Sequence, residues 1–162
     1  MTTSTFSRSS VVKRLLALTQ SHPDLPNGVT VCRGVPREGA TTDLIASGDT
    51  FGDDTSVPTM RRGRLSYRDQ YRVEILCVAY TPGVYEFDKA DDLVESYAEF
   101  VRMVCADHPQ LVDADSDDHP SLCVTSAQVV LADGPSPFHT QEGSASAMRL
   151  EVAIDQRITG DT

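Results

Sequence analysis

The chain has 162 residues, enough for one domain with a full hydrophobic core and no need of disulfide or metal staples. A formal net charge of −10 opposes free nucleic-acid binding, which needs basic surface to displace counterions, and opposes docking on anionic lipid. Hydrophobic content of 40% is that of a globular chain, yet no run of about 18 apolar residues is present to cross a bilayer.

Residues 1–8, rich in Ser and Thr, are expected to form a loose arm. Lys13 and Arg14 interrupt the apolar stretch that follows, and no small-residue cleavage site comes after it, so the N-terminus does not read as a secretory signal. Val11, Val12, Leu15, Leu16 and Leu18 share one side of a helix predicted over 9–20, which the turn residues His22 to Gly28 stop. Val29 to Arg33 reads as a short strand and Asp43 to Ser47 as a second. The polar stretch 48–64 has no periodicity and is expected to be a long loop, either functional or mobile.

Ser66 to Tyr80 is the clearest strand. Tyr71, Val73, Ile75, Cys77 and Ala79 lie on one face, while the other turns from Arg72 and Glu74 to Leu76, Val78 and Tyr80. A helix is predicted over 89–107, with Leu93, Tyr97, Phe100, Val101 and Val104 as its apolar stripe. Asp88, Asp91 and Asp92 occupy its first turn, where the helix dipole favours negative charge, and His108-Pro109 ends it. Two strands follow, over 122–132 and 147–158. In the last, Met148, Leu150, Val152 and Ile154 point inward and Arg149, Glu151 and Asp155 outward. The expected fold is one α+β domain over 9–158, with residues 159–162 as a tail. Its antiparallel or mixed sheet has four to five strands, with two helices packed on one face.

Gly34-x-x-x-x-Gly39-x-Thr41 has P-loop spacing, but Ala40 stands where the phosphate-binding lysine belongs, and Pro36 removes one amide from the loop. Asp133, a candidate magnesium ligand at the end of an apolar run, precedes Gly-Pro-Ser-Pro, which is expected to end the strand. Asp113, Asp115 and Asp117 match three EF-hand ligand positions, but Asp118 replaces the turn glycine and Val124 the bidentate glutamate. Cys105 and His108 lie three apart on a helix, and His119 follows the acidic turn, without paired metal-ligand spacing. Cys32, Cys77, Cys105 and Cys123 sit far apart in apolar runs and read as reduced core residues. No catalytic, cofactor or metal site is expected.

Two charge clusters remain. Arg61, Arg62, Arg64 and Arg68, with Arg72 beyond them, lead into the central strand, while Asp91, Asp92, Glu95 and Glu99 mark an acidic helix face. Either is ordinary solvated surface by default. On opposite sides of a subunit they are complementary, and such a head-to-tail contact closes into a ring where the rotation permits.

In layout the chain resembles the tail terminator proteins of long-tailed bacteriophages and the related neck and tail-completion proteins. The resemblance covers residues 9–158. It rests on the N-terminal helix, "VTVCRGVP", "DLIASG", the arginine-rich "RRGRLSYRDQYRVEILCVAY", the helix "ADDLVESYAEFVRMVCADHPQL" and the closing "AMRLEVAIDQRI". It implies a virion protein at the head–tail junction, made in the host cytoplasm, with no active site and no cofactor. The implied assembly is a homo-oligomeric ring, expected to be a hexamer. That ring caps the tail tube, stops its growth against the major tail tube protein, and docks the head connector while genomic DNA passes through without sequence-specific binding. Acidic groups along such a channel keep DNA from adhering.

Overall fold

The computed structural model describes residues 8–34, 42–61, 64–112, 124–141 and 143–160. In chain order these form α1 (Arg8–Ser21), β1 (Thr30–Arg33), β2 (Leu44–Arg61), β3 (Arg64–Thr81), α2 (Phe87–Asp107), β4 (Val124–His139) and β5 (Ser144–Gly160). The strands make one mixed sheet in the order β1-β2-β3-β5-β4, parallel between β1 and β2 and antiparallel elsewhere. The α+β architecture agrees with the sequence reading.

Period-two alternation in β3 and β5 is the cause of their central place. They pair without a register shift from Leu65 opposite Gly160 to Thr81 opposite Ser144. Tyr71, Val73, Ile75 and Cys77 thereby face the same side as Ile154, Val152, Leu150 and Met148, and all are buried. α1 brings Val11, Val12, Leu15 and Leu18 to that core, and α2 brings Val94, Tyr97, Phe100, Val101 and Val104. Asp43 stands where β2 begins and joins the layers. Its Oδ1 accepts from the Tyr80 amide at 2.6 Å and its Oδ2 from the Tyr97 hydroxyl at 2.7 Å.

Several expectations need correction. The stretch 48–64 is largely strand rather than loop, because β2 runs on to Arg61 beside β3. Register shifts at Ser47/Thr50, Phe51/Asp54 and Ser56/Thr59 absorb the local irregularity, and these bulges erase the alternation that marks a strand in sequence. β4 likewise continues past Asp133 to His139, shifting register between Asp133 and Ser136 beside the cis Gly134–Pro135 bond. Because β4 is an edge strand, proline's missing amide costs no ladder bond there. Arg8 belongs to α1 rather than to an N-terminal arm, and Thr159 and Gly160 belong to β5 rather than to a tail. In α2 the predicted stripe residues Tyr97, Phe100, Val101 and Val104 are buried, and only its first member differs. Val94 is fully buried and Leu93 lies at the core's margin.

The strands outrun the helices. At 18 residues β3 is roughly 60 Å long, whereas the 21 residues of α2 span roughly 32 Å. Buried core side chains on β3 run from Ala79 back to Tyr71, and beyond them β2, β3 and the end of β5 continue as a three-stranded arm. Arg8 marks the boundary. Its guanidinium reaches the Asp69 carboxylate at 2.8 and 3.0 Å and the Gly52 carbonyl at 3.1 Å, and lies 4.6 Å from the Tyr71 ring centre. The Asp69 side chain is only 2% exposed, so its charge depends on that cation. Arg8→Met is expected to cost about 3 kcal/mol in urea denaturation, because it strands a buried carboxylate. Adding Asp69→Asn should recover part of the loss, and a neutral Arg8→Met would contradict this role.

Candidate interaction surfaces

Among the described residues, Cys77, Cys105, His22 and His108 are engaged in structure. Burial pushes the Cys77 and Cys105 thiols up to about 12, far from the thiolate a nucleophile requires. His108 turns its Nδ1 to the Val112 carbonyl at 3.2 Å rather than to Cys105. His22 Nδ1 accepts from the Asp24 amide at 3.1 Å, which leaves the ring proton on Nε2 to bond Asp107 at 2.9 Å. That pair ties the end of α1 to the end of α2, with no free basic nitrogen. Among the described residues no group of three or more His, Cys, Asp or Glu side chains is placed to hold a metal ion.

The P-loop reading fails on the element that follows. Gly34, at φ +80°, turns the chain out of β1 with its amide bonded to the Ser47 carbonyl, and the next element among the described residues is the strand β2 rather than a phosphate-binding helix. Residues 35–41, including Ala40, lie outside the described residues, as do Asp113 to Asp118, His119 and Cys123. Asp133 is spent near Arg149, 3.7 Å from Nη1.

On the sheet face away from the helices the β3–β5 register sets Glu74 directly opposite Glu151, an unfavourable like-charge pair. Arg149 resolves it, reaching Glu74 at 2.7 Å and Glu151 at 3.3 Å, while Arg72 approaches Glu151 at 3.3 Å. Glu151 does face outward, as its place in the alternation implies, yet it is buried among charges. Sequence alternation identifies the face of each residue but not its cross-strand neighbour, so this network was not legible beforehand.

The predicted interface residues divide. Arg68 is bonded to Asp155 at 2.6 and 3.0 Å, and those hydrogen bonds hold the Asp155 carboxyl below its ordinary range. Glu99 is paired with Arg102 one turn along α2. Asp91 is half-buried, with its Oδ1 enclosed and unpartnered, whereas Asp92 and Glu95 are exposed. Arg61 and Arg64 face each other as the last register pair of β2 and β3, at the far end of the arm. Arg62 lies outside the described residues. α2 begins just after the other end of β3, so the arginine-bearing tip and the first acidic turn stand at opposite ends of the sheet.

A surface that the sequence reading passed over as a turn lies at that second end. Val84 is 66% exposed, Tyr85 78% and Phe138 43%. The His139 ring meets Phe87 at 4.8 Å and Tyr85 at 5.8 Å, both edge to face. Tyr85 has φ +64°, a left-handed conformation that costs a bulky residue about 1 kcal/mol or more. The fully buried Ser144 clamps this turn. Its hydroxyl donates to the Gly83 carbonyl at 2.9 Å and accepts from the Glu86 amide at 3.1 Å. Apolar side chains within "GVYEF" were the available sign. No protein-family model and no curated protein matches the chain.

Burial predicts an alkaline limit to stability. Unfolded, the Cys77 and Cys105 thiols ionise near pH 9.0; folded, they do so only near 12, and burial raises Tyr71 and Tyr97 too. The native state therefore keeps protons that the unfolded chain releases. Urea midpoints should be flat up to pH 9 and fall steadily from there toward pH 12. A midpoint unchanged at pH 11 would contradict the burial of these groups.

Proposed function

We propose that this chain is a structural protein of the phage virion, a tail terminator. It forms a ring, expected to be hexameric, on the end of the tail tube, stops addition of the major tail tube protein and presents the docking surface for the head connector. It acts at the head–tail junction, and genomic DNA passes through the ring without being read. No catalytic step and no cofactor are assigned to it.

The observation that carries this reading is the arm. A three-stranded ribbon continues past the end of the β4 pairing at Val124, and among the described residues no further strand lies beside its outer edges there, so a neighbouring subunit is the simplest cover. Its arginine tip and the acidic start of α2, at opposite ends of one sheet, support head-to-tail association rather than a two-fold contact. The layout of helices and strands over residues 9–158 supports the tail-terminator type in particular, since it is that family's arrangement which the chain resembles.

Electron microscopy of lysates with the gene silenced tests the proposal. Overlong or ragged tubes without filled heads are the expected result. Tails of normal length lying free beside filled heads would move the protein to head joining, and normal infectious particles would overturn both roles.

A further inference from the structure

We infer that His22 is a proton-operated latch, which holds the turn between α1 and β1 closed while its ring is neutral and releases it when the ring takes a second proton. All of its parts lie within one chain, so it stands apart from the role proposed above. His22 is the first residue beyond α1, and only 6% of its side chain is exposed. Two elements are joined through its ring. The Asp107 carboxylate at the end of α2 lies 2.9 Å from Nε2, and the Asp24 amide of the turn donates to Nδ1 at 3.1 Å. The Phe100 ring of α2 packs edge to face against it at 5.4 Å.

The two ring nitrogens have opposite duties. A backbone amide can only donate, so Nδ1 must offer Asp24 a lone pair, whereas the carboxylate accepts and keeps the ring proton on Nε2. Only the neutral imidazole satisfies both contacts. A second proton has one place to go, Nδ1, where it would point at the Asp24 N–H and break that bond. An enclosed ring has little access to water that could replace the lost partner. The ion pair gained with Asp107 opposes the release only in part, because the Asp107 side chain is 52% exposed and water screens its charge.

Among the described residues the titratable groups that meet the ring are Asp107 and His108, with Asp24 contributing its amide. On α1 itself, Lys13 and Arg14 stand more than two turns back, and Arg33 of β1 is bonded to Ser9 at the far end of that helix. His108 shows the contrast. Its Nδ1 faces the Val112 carbonyl at 3.2 Å and so already carries the proton; a second one goes to Nε2 and leaves that bond intact. Once charged, His108 also sets a like charge beside His22, since the rings are 6.4 Å apart.

The release is confined to the turn from His22 to Gly28. Beyond it Val29 is buried and the Thr30 amide bonds the Asp43 carbonyl at 2.9 Å, which fixes β1. Before it α1 keeps its buried stripe and the Arg8–Asp69 pair. Acid therefore opens a joint between two helix ends without unfolding the domain.

Nitrogen-15 NMR of the full chain tests the latch, with the pH lowered from about 7.5 to about 4.5. At the upper end the His22 ring should be the Nε2–H tautomer. As the ring takes its second proton, the Asp24 amide should lose about tenfold or more of its protection against hydrogen exchange, corrected for the intrinsic rate, while the Thr30 amide keeps its own. In His22→Asn the side-chain oxygen stands on Cγ where Nδ1 stood and accepts from the Asp24 amide without titrating. Asp24 protection in that variant, whatever its level, should not change with pH. A native His22 in the other tautomer, a ring that stays neutral throughout, Asp24 protection unmoved by His22 protonation, or the same acid release in His22→Asn would each overturn the assignment.

Discussion

The unbroken ladder between β3 and β5 is the constraint on which the molecule depends. Seventeen matched pairs, from Leu65 with Gly160 to Thr81 with Ser144, hold the two strands in one register. A slip of one residue would turn Val73, Ile75, Val152 and Leu150 away from the helices and bring Glu74, Glu151 and Arg149 onto the core. The core therefore locks the register near its middle, and the backbone bonds carry it outward in both directions. Everything at the two ends, arginine tip and aromatic turn alike, is positioned by pairing that the core enforces at a distance.

Charge is arranged to tolerate that register. The opposed Glu74 and Glu151 are held together by Arg149 and Arg72, and Arg68 joins β3 to β5 through Asp155. At the margin of the helix layer the buried Asp69 is matched by Arg8 from α1. Several of the chain's arginines are thus consumed in stitching the sheet, although the net charge is strongly negative.

How much of this was readable beforehand follows from where alternation survives. Met148, Leu150, Val152 and Ile154 alternate without interruption, so β5 and its inner face were evident, and so was the α2 stripe at Tyr97, Phe100, Val101 and Val104, with Leu93 alone at the core's margin. β2 was not evident beyond Ser47, because its three register shifts break the period of two. The extension of β4 was hidden by Pro135 and Pro137, residues that an edge strand tolerates and a central strand does not. The interface candidates fared unevenly for a related reason. A charge run in sequence does not show which members a neighbouring strand or the next helical turn will neutralise, so Arg68 and Glu99 looked as available as the exposed Asp92. The aromatic turn escaped notice because its apolar residues have no periodicity and gain meaning only when β4 brings His139 beside them.

Amide hydrogen exchange along β2 is the most direct test of the proposed contact between subunits at the arm. In dilute solution the amides of residues 50–61 should exchange much faster than those of β3 at Val73 to Cys77, since among the described residues the outer edge of β2 beyond β1 has no strand beside it. On assembly at high concentration the arm amides should slow markedly while the core amides stay as they were. Arm amides that exchange equally fast in the assembled and dilute protein would contradict the claim that a neighbouring copy covers the arm.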